Sequence, residues 1–368
     1  MPARTTLTSR STAPVFVVGS ARSGTTLFYD MLLSSGGFAV YLAESNVLNM
    51  LGPHFNDLRT RADRENLLRV WTASKLFRAT GLDKSEIESP VLENCHNPGD
   101  FLRTVMDTMC RRQGMVRWAE NSVEGRIASI KRYIPEALIV HMIRDGRDVA
   151  TSLHNSRYIR TLPWKSRIGL GGAGVYWEWV VQRTCAAGRQ FPDDYIEVHF
   201  EDLIGSTQET LSRVGKFIDH ELDYDRIRQV GYGSISKPNT LFSAELKGKF
   251  SPIGRWKKVF SPSDLQSFEG MIGPTLREQG YQIASEGGQP PMTLEMRATR
   301  QFYRTLFDTK WSVKQNRLGR WLRPLTPEFL DANTQAEDHP PEVRTDVRTE
   351  ARTPARTTAS APSSETFR

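Results

Sequence analysis

The run Val15-Phe16-Val17-Val18-Gly19-Ser20-Ala21-Arg22-Ser23-Gly24-Thr25-Thr26-Leu27 constrains this chain more than any other stretch. An apolar strand, a glycine-bounded turn and a helix start follow one another without a gap. That order brings backbone N–H groups and a helix N-terminus together on one point, which is how a chain cradles a phosphate-like anion. The Gly19-x4-Gly24 spacing matches the loop that binds nucleoside triphosphates, but Thr25 stands where that loop has lysine, and Arg22 is its one cation. The loop is therefore expected to take a phosphate-like group other than the Mg-bound β/γ-phosphates of ATP.

With 368 residues, 38% of them hydrophobic, the chain can bury a substantial core in one large α/β domain or two small ones. No apolar run reaches the ~18 residues of a spanning helix. The residues ahead of Val15 lack the apolar stretch of a secretory signal. Cys95, Cys110 and Cys185 are odd in number and lack metal-type spacing. Together these features predict a reduced, cytoplasmic setting. The net charge of +7 is local: eight Lys and Arg between Arg297 and Arg323 face Asp308 alone, so the rest of the chain is neutral. A nucleic-acid-binding protein is not expected.

Apolar runs at Val15–Gly19, Phe38–Leu42, Met115–Ala119, Leu138–Ile143 and Tyr195–Phe200 alternate with helical patterns, which predicts βαβ units and a parallel sheet flanked by helices. Pro53 to Gln113 is too long for a simple crossover and is read as a cap over the sheet's carboxyl edge. Arg157 to Gly174 is a second irregular stretch, carrying Trp164, Arg160, Lys165 and Arg167. The expected organisation is a disordered N-terminus over 1–13, a catalytic domain over 14–284, a basic amphipathic helical extension over 292–326 and a disordered low-complexity tail over 332–368. The tail repeats Arg-Thr at every fourth residue from Arg344 and has too few apolar residues to order itself.

The second chemical signal is Leu138-Ile139-Val140-His141-Met142-Ile143-Arg144-Asp145-Gly146-Arg147-Asp148, continuing to Ser152. Arg144 falls at the carboxyl end of a buried strand, where open α/β sheets bind ligands. Ser152 lies two helical turns on and can face the same anion. His141, inside the buried strand, reads as a core residue.

With these two motifs in this order, the chain resembles the sulfotransferases that use 3′-phosphoadenosine-5′-phosphosulfate (PAPS). Ala21-Arg22-Ser23-Gly24-Thr25-Thr26 resembles their 5′-phosphosulfate loop, with Ala21 in place of proline. Arg144 and Ser152 resemble their 3′-phosphate pair. Gly254-Arg255-Trp256-Lys257 with Phe260-Ser261-Pro262 is similar to the late cofactor-clamping segment of bacterial and Golgi-type members, and Phe200-Glu201-Asp202-Leu203 to a Tyr-Glu-Asp-Leu element. The resemblance spans about Pro14 to Tyr281. It implies a P-loop-like α/β sulfotransferase fold and transfer of a sulfuryl group from PAPS to a hydroxyl, without metal. It also implies a cofactor site of Arg22, Ser23, Gly24, Thr25, Thr26, Arg144, Ser152, Arg255, Trp256 and Lys257. Trp256 reads equally as an adenine stack or a core residue, and Lys247 or Lys249 would add to the clamp.

An acceptor hydroxyl needs a base. The histidine pattern of cytosolic members is absent. Tyrosylprotein and several carbohydrate sulfotransferases use a glutamate, and Glu44 in Tyr41-Leu42-Ala43-Glu44-Ser45 occupies the tyrosylprotein-type position. Glu120 is the second candidate: Trp118-Ala119-Glu120-Asn121-Ser122 resembles a Trp-Gly-Asp/Glu-Lys-Thr-Pro element, with Asn121 replacing lysine. The acceptor class stays open among a small molecule, carbohydrate, lipid or peptide. Two readings of Leu294 to Arg323 also stay open: a helix lying on an anionic membrane at its inner face, or one docked on the catalytic domain or on a second copy in a homodimer. Two other functions remain: a P-loop NTPase or small-molecule kinase, which needs a cation at position 25 and a Mg-binding Asp at a strand end, and a non-catalytic nucleotide-binding protein.

Overall fold

The strand Val15–Gly19 (β1) lies inside a parallel four-stranded sheet in the computed structural model, flanked by Ala119–Val123 (β2) and Leu138–Ile143 (β3), with Tyr195–His199 (β4) beyond β3. The structure describes residues 9–123, 126–155, 168–235, 251–315 and 325–333. Val17 pairs with Asn121 on one side and Val140 on the other, and Val140 pairs in turn with Ile196. β1 and β3 are buried at every position, which is why both read as apolar runs, interrupted in β3 by His141 alone.

Two expected strands differ. Phe38–Leu42 makes one bridge, Phe38 to Arg117, and no strand. Its backbone is satisfied by side chains: the Val40 N–H donates to Gln113 Oε1 at 2.7 Å, Gln113 Nε2 donates to the Val40 carbonyl, and Tyr29 OH donates to the Tyr41 carbonyl at 2.6 Å. The strand expected at Met115–Ala119 begins at Ala119, where it meets Val15, and runs through the polar residues Glu120, Asn121 and Ser122. An apolar-run criterion cannot see a strand whose side chains serve a site.

Helices cover both faces. On one, Thr25–Ser34 (α1), Thr207–Ile218 (α7) and Tyr224–Val230 (α8) pack on Val15, Val17, Val140, Met142 and Val198. On the other, Arg61–Trp71 (α2), Lys84–Asn94 (α3) and Pro98–Gln113 (α4) share a core with Phe16, Val18 and Ile139. The segment expected to cap the sheet's carboxyl edge thus shares one core with Phe16, Val18 and Ile139. Trp71, Phe101 and Leu67 are fully buried there, each contributing roughly 1.5–3 kcal/mol of transfer free energy.

Ile143 joins a third cluster with Ile168–Gly188 (α6), Pro262–Glu278 (α9) and Leu294–Gln315 (α10). Of the two readings of the basic extension, the structure has the docked one over 294–315. Tyr303 and Phe307 are buried against the domain, Arg300 Nε donates to Glu178 Oε2 at 2.8 Å, and Arg304 reaches the same oxygen at 3.5 Å. The outward face carries Arg297, Gln301, Thr305 and Ser312, and Leu294 and Phe302 are exposed as well, so only part of the apolar stripe is used internally. Residues 9–13, assigned by composition to a disordered end, are held by Arg117, whose guanidinium donates to the carbonyls of Arg10, Ala13 and Ile218. Among the described residues, no helix is long and apolar enough to cross a membrane, and all three cysteines are buried free thiols.

Candidate active site

The turn after β1 is fixed by close approach. A Cβ on Gly19 would lie 2.5 Å from the Met142 carbonyl, and one on Gly24, at φ +90°, would lie 2.4 Å from the Phe200 ring. Arg22 also adopts a left-handed conformation, φ 71°, a costly choice for a residue with a side chain. Gly24 is the N-cap of α1; it offers no side-chain cap, and no acid occupies the first turn. The α1 N-terminus thus presents backbone N–H groups and positive dipole without an internal anion. Ser23 is fully buried and its Oγ has no hydrogen-bond partner among the described residues.

Cations gather on one side of this turn. Arg22 Nε donates to Ser152 Oγ at 2.9 Å; Ser152 lies on Gly146–Asn155 (α5). Arg144, at the end of β3, donates from Nη1 to the Arg22 carbonyl at 3.0 Å and from Nη2 to the Pro252 carbonyl, while its guanidinium lies 4.5 Å over the Phe200 ring. Burial and the facing charge of Arg255 pull the Arg22 guanidinium below its ordinary pKa; burial does the same to Arg144, with Arg255 and Arg22 adding to the effect. Arg144 Nε is buried with no hydrogen-bond partner. A bound anion would relieve all of these costs at once, so the residues present fit a phosphate-bearing ligand.

The late segment closes onto the same place through an acid that sequence reasoning passed over. Asp148 accepts from the N–H of Gly254 at 2.7 Å and of Trp256 at 3.0 Å. Trp256 is buried, with the Arg147 guanidinium 4.1 Å over its ring and Lys257 Nζ at 5.7 Å; Lys257 itself is exposed. Arg147 is bound in turn by Asp145 and by the fully buried Glu269, each at 2.7 Å. Asp145 is therefore occupied by Arg147, and Thr25 is buried with its methyl 3.0 Å from where a Gly19 Cβ would stand. Neither position offers what a Mg-dependent kinase requires. Glu201 accepts from the Asp145 N–H and from Tyr281 OH, which fixes Phe200 beneath Arg144. Lys247, Lys249, Arg157, Arg160, Trp164, Lys165 and Arg167 lie outside the described residues.

Carboxyl groups gather on the other side. Asn121 Nδ2 donates to Glu44 Oε1 at 3.3 Å and approaches Thr26 Oγ1 at 3.5 Å, linking the expected base to the first turn of α1. Glu120 is buried, and its Oε1 accepts from both the N–H and the hydroxyl of Ser45 at 2.9 and 2.8 Å. Burial above all pushes Glu120 up to about 8, with Glu44 nearby adding to the rise. Glu120 is therefore neutral at pH 7, whereas Glu44 is half-buried and reachable. The structure brings together Arg22, Ser152, Arg144 and Arg255 on one side of the turn, and Thr26, Asn121, Glu44 and Glu120 on the other. Sequence reasoning missed Asp148 and treated Asn121 only as a departure. The repeat of Asp at 145 and 148, one helical turn apart, was the available signal for the first.

His141 is a core residue, as its strand position suggested. Its Nδ1 lies 2.6 Å from Tyr195 OH, which donates to Glu197 at 2.8 Å, and burial lowers the imidazole to about 3. Its Nδ1, Cys185 Sγ and a Glu197 oxygen lie within 4.8 Å of one another, but His141 and Glu197 are engaged by that phenol.

Residues 14–224, more than half of the chain, match the model of the Sulfotransferase family. No curated protein matches. Among solved structures, the sulfotransferase domain of the Synechococcus PCC 7002 olefin synthase is similar at 15% identity and a TM-score of 0.47, covering 79% of this chain and 94% of that one. Sulfotransferase STF1 from Mycobacterium tuberculosis H37Rv is similar at 16% identity and a TM-score of 0.34, covering 62% and 71%. A retinol dehydratase solved with androsterone and the inactive cofactor PAP follows at 17% and 0.40, covering 73% and 82%. On the extent of the family match, which takes in the turn after β1, the Glu44 segment and the Arg144–Ser152 pair, the chain belongs to the Sulfotransferase family.

Proposed function

We propose that this sulfotransferase takes its sulfuryl group from PAPS and passes it to a hydroxyl acceptor, with Glu44 as the base. The observation that carries the reading is the two-sidedness of the turn after β1. An uncapped helix N-terminus has a cluster of guanidinium groups on one side and a reachable carboxylate on the other.

PAPS supplies an activated sulfuryl group on a 5′-phosphate and a separate 3′-phosphate. Arg22, Ser23 and the first N–H groups of α1 would hold the phosphosulfate end, and Arg144, Ser152 and Arg255 the 3′-phosphate end. Glu44 takes the proton from the acceptor hydroxyl as its oxygen bonds to sulfur. PAPS, when bound, would supply the activated sulfuryl group and a 5′-phosphate oxygen that leaves with the electron pair of the broken sulfur–oxygen bond. Arg22 and the helix N-terminus stabilise that growing charge, where preorganised donors contribute most. Glu120 is the poorer base because it is sealed by Ser45 and neutral at pH 7.

Titration calorimetry with 3′,5′-adenosine bisphosphate tests the donor. Micromolar binding is expected, reduced at least tenfold in Arg144→Ala. Absence of binding, or greater thermal stabilisation by ATP than by the bisphosphate, overturns the assignment.

A further inference from the structure

Consecutive residues of a strand point to opposite faces, yet Glu120 and Asn121 both reach the dipeptide Glu44-Ser45. Glu120 holds Ser45 by its backbone and its hydroxyl, and Asn121 holds the Glu44 carboxylate while approaching Thr26. Ser45 Oγ in turn accepts from the Val47 N–H at 3.3 Å, at the start of a π-helical turn over Val47–Leu51. The Glu44 segment is thus gripped from both faces of β2, next to the turn that binds anions.

The grip has a cost. Glu120 Oε2 and Asn121 Oδ1 are buried without hydrogen-bond partners among the described residues. Leaving such atoms unpaired is costly, and apolar side chains like those of the interior strands β1 and β3 would avoid it. A strand that served only to close the sheet would not need these two residues at Phe16 and Val17 in the register.

We infer that Glu120 and Asn121 are a positioning pair for the base: Glu120 fixes the backbone beneath Glu44, and Asn121 aims its carboxylate at the helix N-terminus beside Thr26. The inference rests on Glu44 as the base. The amide donates to the ionised form and so favours it. Among the described groups, Glu120 on β2 and Tyr29 on α1 share an electrostatic interaction with Glu44. Burial biases Glu120 towards its neutral form, which lessens the repulsion between it and Glu44.

The test is direct titration of the carboxyl groups by NMR in the full chain labelled with 13C at the glutamate carboxyl, with Glu44 assigned from E44Q. Asn121→Ala should raise the Glu44 midpoint by about one unit, the usual size of losing one such donor. Asn121→Asp, close in shape, should raise it further by adding a like charge. A purely structural role leaves the Asn121→Ala midpoint unchanged, and that result in the folded variant overturns the proposal. Should Asn121→Ala unfold, Asn121→Ser, polar but too short to reach Glu44, decides in its place. Binding of 3′,5′-adenosine bisphosphate is measured in parallel on the wild type. Its absence sinks the sulfotransfer reading, while the carboxyl midpoints still report whether Asn121 controls Glu44.

Discussion

A carboxyl group pushed up to about 8 makes Glu120 a liability to the fold at high pH. Its folded value lies above the ordinary carboxylate value near 4.5, so the folded state holds a proton that the unfolded state has lost. The stabilisation is complete below about pH 4.5 and is lost as pH rises through about 8. Glu120→Gln keeps an oxygen for Ser45 and removes the titration. Urea unfolding at pH 5 and pH 8.5 should therefore show a smaller loss with pH in the variant than in the wild type. An equal loss in both places the titrating group elsewhere. Gly24 makes the complementary case, because both its φ of +90° and the Phe200 ring, 2.4 Å from where a Cβ would stand, exclude a side chain. Gly24→Ala should cost about 2 kcal/mol or more, measured by chemical denaturation. A cost within experimental error means that Phe200 moves freely.

Individual elements were legible in the sequence to the degree that they are apolar. β1 and β3 lie where their valine and isoleucine runs put them, because both faces are buried and nothing but packing chose their residues. β2 was displaced by four residues, since its useful positions carry Glu120, Asn121 and Ser122. The grouping of Arg22, Arg144 and Ser152 was readable because they sit in contiguous strand–turn–helix motifs. The link between Asn121 and Glu44, and that between Asp148 and the Gly254–Trp256 turn, join residues far apart in sequence, and no local pattern encodes them. Helix α10 belongs to the same scale. Its amphipathic stripe was plain, but only the buried Glu178 shows what its arginines face. Glu178→Ala should remove that anchor, costing roughly 1–3 kcal/mol. Hydrogen exchange over 294–315 should accelerate more than exchange in β1 and β3. Uniform acceleration would mean that α10 does not open separately from the sheet.

At the scale of the whole molecule, the site lies at the carboxyl ends of β1, β2 and β3, and three layers meet there. One layer contributes α1, the opposite face supports the Glu44 segment through the core around Tyr41 and Trp118, and α6 with α9 supports Arg147 and Trp256. Removing the chain beyond residue 291 would expose the surface that Tyr303 and Phe307 cover. Such a truncation should melt at a lower temperature and aggregate on heating. An unchanged melting temperature would show that α10 contributes no net stability.

Arg144 gives one N–H to the carbonyl of Arg22 in the turn and another to the carbonyl of Pro252 beside the clamp. An anion that draws on this guanidinium must share it with both. An anion bound at this guanidinium would thus be coupled to the backbone at 252, and by linkage any effect of one on the other would be equal in both directions.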